Sequence, residues 1–115
     1  MLNRIKQLSQ LLKKAGYTVF QDVATGTNYP YCVYSFVSDT PHRASNKVIT
    51  HTREYQLSLF SEDDASCLDA LTAVLDDAGV IYEPFISQAG SENDMTVTNY
   101  YTYIHFDTGG GSDGE

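Results

Sequence analysis

The stretch REYQLSLFS at residues 53–61 restricts the fold more than any other part of the chain. Tyr55, Leu57 and Leu59 alternate with Glu54, Gln56 and Ser58. Successive side chains of an extended strand point to opposite faces, so this order makes one apolar face and one polar face. It predicts a half-buried antiparallel strand over residues 47–60, with Phe60 breaking the pattern at its edge. A sheet built on such a strand needs a second layer over the apolar side.

Two segments have the spacing to supply that layer. Leu2, Ile5, Leu8, Leu12 and Ala15 fall on one face at helical spacing. Lys13 and Lys14 suit the last turn of that helix, and Gly16 suits its stop. Ala65, Leu68, Leu71, Leu75 and Ala78 form a second stripe, closed by Gly79. Just before it stand Glu62, Asp63 and Asp64. Ser61 is placed as an N-cap, with Asp64 three residues on as a weak capping box. Acids in a first turn are favoured by about 0.3–1 kcal/mol each. A metal or catalytic cluster is the other reading, but neither a DxDxDG loop nor an HExxH pair accompanies them. The second helix ends in Asp76-Asp77, where the dipole disfavours acids. Either the end is solvated or a basic partner offsets the cost.

The remaining strands are less regular. Residues 31–38, YCVYSFVS, carry Tyr31, Val33 and Val37 on one parity and Cys32, Tyr34 and Phe36 on the other. Residues 95–107 do the same with Tyr101, Tyr103 and His105 against Tyr100, Ile104 and Phe106. Strands apolar on both faces belong in a sheet core or at a subunit contact. Short strands are expected at 17–21 and 80–85. Residues 22–30 and the polar stretch DTPHRASN at 39–46 read as loops, and SQAGSEND at 87–94 as a turn or mobile loop. The expected fold is α+β, a mostly antiparallel sheet with two helices packed on one face, in the order α-β-β-β-α-β-β. It forms one domain over residues 1–107, followed by a disordered Gly-rich acidic tail at 108–115. LLKKAGYTVF (11–20) and VLDDAGVIYE (74–83) form a faint echo, open to duplication or to a shared way of stopping a helix.

At 42% hydrophobic and 19% charged, the 115 residues have an ordinary globular composition. No apolar run approaches the length of a membrane span, and MLNRIKQLSQLLKKAG is too polar for a signal-peptide core. A soluble protein made in the cytoplasm is expected. Cys32 and Cys67 form no CxxC pattern and read as two buried reduced thiols, with a disulfide or metal role as the alternative. The charge is polarised. Residues 1–60 hold all seven Lys and Arg with three acids, net +4; residues 61–115 hold twelve acids and neither Lys nor Arg, net −12. A wholly acidic half argues against broad nucleic-acid binding, which needs cations against phosphate. Solubility explains the asymmetry, and so does packing of a basic side on the acidic side of a neighbour.

A P-loop does not occur, and the spacings GxSxG (110–114) and GxGxxG (109–114) fall only in the Gly-rich acidic tail, where they are expected to form neither a nucleophile elbow nor a phosphate cradle. His42 falls in an expected loop, His51 and His105 in different strands, without i, i+4 ligand spacing; a sheet could bring His51 and His105 together, which leaves a metal or general-base role as the alternative. The nine tyrosines fit base stacking poorly, because the Tyr-rich strand lies in the acidic half; core and contact packing suits them better. Neither catalysis nor a cofactor is expected.

The layout as a whole carries a resemblance. An N-terminal helix and strand lead to Tyr29-Pro30-Tyr31 and CVYSF, then to REYQLSLFS, the acidic helix EDDASCLDALTAVLDDAG, a hairpin-like segment and YYTYIHF. Over residues 2–107 this resembles the tail-terminator, or tail-completion, proteins of long-tailed bacteriophages and prophages. The resemblance implies a structural virion protein: a hexameric ring on the head-proximal end of the tail tube, which ends tube polymerisation and offers a surface for head attachment. Its partners would be further copies of itself, the tail tube protein and a head–tail connector. DNA would pass through without specific binding, and the protein would sit in the virion tail after a period in the host cytoplasm. On this reading His42, Arg43 and Lys47 are candidates for contact with a neighbouring ring, and Asp63, Asp64, Asp76 and Asp77 for a channel lining that repels phosphate. The alternatives are a head-side connector or stopper of the phage neck and a small bacterial binding module.

Overall fold

The computed structural model describes residues 5–24, 29–62, 65–92 and 95–108. Among these described residues, two helices and six strands follow in the order α1 (Ile5–Lys14), β1 (Thr18–Gln21), β2 (Tyr31–Ala44), β3 (Lys47–Ser61), α2 (Ser66–Asp77), β4 (Ile81–Tyr82), β5 (Ile86–Glu92) and β6 (Met95–Thr108). One sheet runs β1-β2-β3-β6-β4, and β5 pairs with β6 along the same side as β4. Only β1 and β2 pair in parallel; the other pairings are antiparallel. The α+β class and the mostly antiparallel sheet agree with the sequence pattern.

The alternation in β3 decides which face is covered. Register sets Cys32 opposite Leu59 and Tyr34 opposite Leu57, with Thr102, Tyr100 and Ile104 of β6 on the same side. Leu8 and Leu12 of α1 and Leu71 and Leu75 of α2 pack into one cluster with Cys32, Leu57, Leu59, Ile104 and Phe106. Both helices therefore lie on this one face. Full burial of each aliphatic side chain contributes about 1.5–3 kcal/mol. Cys32 is buried here, and burial, with a further push from Cys67, raises its thiol to about 12. Both cysteines are free thiols, but of the two expected to be buried only Cys32 is; Cys67 of α2 is half-buried.

The two helices end in the same way. Tyr17 N–H donates to the Leu12 carbonyl at 3.0 Å and Gly16 N–H to that of Lys13 at 3.1 Å. Val80 N–H donates to Leu75 at 3.0 Å and Gly79 N–H to Asp76 at 3.1 Å. Gly16 and Gly79 have φ of 106° and 73°, so each helix closes in a Schellman motif with glycine at C′. The residues that follow, Tyr17 and Val80, pack against the core. The sequence echo at 11–20 and 74–83 is this shared stop.

Four expectations need correction. β2 does not end near Ser38 but reaches Ala44, so residues 39–44 are strand and the polar loop shrinks to a turn at Ser45-Asn46. Both turn residues have positive φ, 53° and 67°, the handedness of a two-residue type I′ hairpin. β5 occupies residues 86–92, where a turn or loop was expected; 93 and 94 lie outside the described residues. The expected strand at 80–85 is cut to Ile81–Tyr82, because Pro84 has no N–H to give to a ladder. Ser61 is no N-cap: it ends β3 at 1% exposure, and α2 starts at Ser66 after Ala65, which makes no side-chain capping bond. Asp63 and Asp64 lie outside the described residues, as do 109–115.

Candidate interaction surface

The hairpin of β2 and β3 is longer than the layer that covers it. A strand of 14 residues at about 3.3 Å each spans ~46 Å. The molecule measures 56 × 24 × 23 Å, so this hairpin accounts for most of its long axis. Past a bulge at Val37, residues 39–49 are exposed on both sides of the ribbon. Polar pairs between strands hold this arm. Asp39 accepts from Arg53 Nε at 3.0 Å and shares a hydrogen bond of 2.6 Å with His51 Nδ1. The bonds to His51 and Arg53 hold the Asp39 carboxyl below the ordinary aspartate range. On the other side, His42 Nε2 lies 2.7 Å from Thr52 Oγ1, which donates to Asp107 at 2.6 Å.

The arm brings three of the sequence candidates together. His42, Arg43 and Lys47 stand at its free end, all exposed, flanked by the exposed apolar side chains of Val48 and Ile49. Asp76 and Asp77 are exposed at the C-terminal end of α2, on a different element. The cost of an acid at that helix end is offset by a neutral donor: Tyr82 Oη donates to Asp76 Oδ1 at 2.7 Å. That bond to a carboxylate raises the Tyr82 phenol above its ordinary range.

The sheet face opposite the helices is the second part of the surface. Register puts Phe20, Tyr31, Val33, Phe60, Tyr101 and Tyr103 on this side. Tyr31 stacks on Phe60 at 4.9 Å and meets the edge of Phe20 at 5.7 Å, with Tyr29 5.4 Å away. These contacts leave Tyr31 only 7% exposed without any helix over it. Burial raises its phenol above the ordinary value. At the margin Ile81 and Ile86, opposite His105 and Tyr101, are 63% and 51% exposed. The aromatic residues expected on both parities of β2 and β6 are thus divided between a covered face and an open one.

Toward the arm the open face becomes ionisable. Glu54 of β3 lies opposite His105 of β6, and His105 Nε2 is 2.9 Å from Glu83 Oε2, just past β4. Ligand atoms of Glu54, Glu83 and His105 all fall within 4.8 Å of one another. Ser38 Oγ donates to Glu54 Oε1 at 3.5 Å. This group was not among the sequence candidates, since it depends on a register the sequence does not display. His51 and His105 do not meet: His51 lies with Asp39 and Arg53 on the side of the helices, His105 on the open side.

No family model matches the chain, and no curated protein matches it either. No helix among the described residues is long and apolar enough to cross a membrane.

Proposed function

We propose that the protein is an assembly module of a phage or prophage tail: a subunit that joins its own copies head to tail in a ring and caps the head-proximal end of the tail tube. The observation that carries this reading is the arm. Beyond His51, where the pairing with β6 ends, the arm is a two-stranded ribbon with residues 42–49 exposed, and it contributes little to the fold, since an isolated hairpin is marginal in water. Its free end presents Arg43 and Lys47 beside Val48 and Ile49, a mixed basic and apolar tip. The acids Asp76 and Asp77 stand exposed elsewhere on the same molecule. A basic tip on one surface and an acidic site on another make a heterologous contact, and such contacts close into rings when the rotation allows. The open aromatic face supplies the apolar area a lasting contact needs. The resemblance of the layout to tail-terminator proteins sets the expected ring at six subunits. Acids of the second half, including Asp63, Asp64, Asp76 and Asp77, would line the passage and keep DNA phosphate from adhering.

The test is assembly. Light scattering follows the purified protein alone and then with polymerising tail-tube protein. The expected result is a ring, or a single subunit that shortens the tubes. The double variant R43E/K47E keeps its fold and loses capping. A protein that stays monomeric and leaves tube length unchanged overturns the reading; if it binds the portal or its adaptor instead, it is a connector of the neck.

A further inference from the structure

We propose that Glu54, Glu83 and His105 form a binding site for a divalent transition-metal ion of the zinc class. The inference is independent of the assembly reading, because all three residues belong to one subunit. Their ligand atoms lie within 4.8 Å of one another, and His105 Nε2 and Glu83 Oε2 already stand 2.9 Å apart. Around zinc, with bonds of about 2.0–2.1 Å, tetrahedral ligands sit roughly 3.3–3.4 Å from each other. One separation of 2.9 Å and the others of at most 4.8 Å bracket that spacing.

The backbone is well placed to hold them. β3 and β6 are adjacent, with Glu54 directly opposite His105. Glu83 is fixed at both ends of its residue: its N–H donates to the Tyr103 carbonyl at 3.0 Å, and its own carbonyl accepts from Thr102 Oγ1 at 2.5 Å. The Ser38 hydroxyl reaches the Glu54 carboxylate from β2 and orients it, the role of an outer partner at metal sites. Four neighbouring segments thus converge on one point of the open face.

Charge favours a cation there. Two carboxylates this close repel, and the partner beside Glu83 is His105, a charge only when protonated. A metal ion neutralises the pair, with the imidazole as third ligand and solvent completing the shell. Imidazole with carboxylates selects zinc, cobalt or manganese over magnesium and calcium, which prefer oxygen alone. Once bound, the ion ties the two-residue strand β4 to β3 across β6.

The experiment is a calorimetric titration of Zn2+ into the full chain after chelator treatment. One equivalent should bind and raise the melting temperature, and excess Mg2+ should not displace it. H105A, E83Q and E54Q should each lose the bound equivalent, while the double variant H42A/H51A keeps it. In the unmodified protein, the His105 imidazole resonances should shift on adding Zn2+ while those of His42 and His51 stay in place, a readout that needs no variant to fold. Absence of heat and of any His105 shift overturns the proposal. So does an equivalent that persists in H105A, or one that Mg2+ displaces. None of these results touches the tube-capping assay, which is read without added zinc.

Discussion

The two faces of the sheet are made from the same strands and solve opposite problems. The helix side is aliphatic and closed: Leu57, Leu59 and Ile104 are fully buried beneath Leu8, Leu12, Leu71 and Leu75. The open side is aromatic and ionisable, with Phe20, Tyr31, Phe60, Tyr101 and Tyr103 giving way to Glu54, Glu83 and His105. Leucine serves where water never returns. Tyrosine serves where a surface must tolerate water in one state and a partner in another, because its ring is apolar and its hydroxyl is not. The closed face carries stability, and the open face is available for contact.

Substitutions can break this division of labour. The largest effect is expected on the closed face. Leu57→Ala removes a fully buried side chain and should lower unfolding free energy by about 2–5 kcal/mol in a denaturant titration. Phe60→Leu on the open face keeps the bulk and loses the stacked ring against Tyr31, for a loss of about 0.5–1.5 kcal/mol in the same measurement. If Phe60→Leu matched Leu57→Ala, the open face would be a second core. Ile86→Ser, at an exposed position, should change stability by less than about 0.5 kcal/mol while weakening assembly with tube protein.

The smallest effect concerns the arm and depends on pH. Asp39 has its carboxyl lowered by His51 and Arg53, so it binds protons less readily folded than unfolded. Its contribution is present above the unfolded aspartate value and is lost as pH falls through the folded one. Amide exchange in residues 39–53, corrected for the intrinsic pH effect, should therefore quicken relative to the sheet core in strongly acidic buffer. Asp39→Asn should remove that difference; if the acid response persists, other groups hold the arm.

Parts of this architecture were legible in the sequence for physical reasons. The β3 alternation has a strict period of two, and glycine at both helix stops answers a backbone need for positive φ. The distal half of β2 was not legible, because residues 39–44 are polar on both parities and a ribbon without a core leaves no period-two contrast. β5 was missed for the same reason: SQAG is small and polar, and it is held by backbone pairing with β6. Ser61 misled because a serine before acids fits a cap, yet β3 needs it as its last buried rung. The Glu54–Glu83–His105 group comes from three segments with 22 positions between its last two members. Only register assembles it, and register is set by the pairing of whole strands.

The ribbon of β2 and β3 also has a mechanical meaning. From Pro41, the last rung whose partner His51 is also paired with β6, it extends as two strands to Ala44, about 10 Å at about 3.3 Å per residue. Its base is gripped by the three-stranded pairing of β2, β3 and β6, so the tip follows the body as a pointer follows a dial. On that length, a tilt of about 10° moves Arg43 and Lys47 by ~2 Å, enough to make or miss a hydrogen bond. A contact made at the tip would therefore be an angular gauge: it would accept a neighbour at one inclination and reject one tilted by about 10° from it.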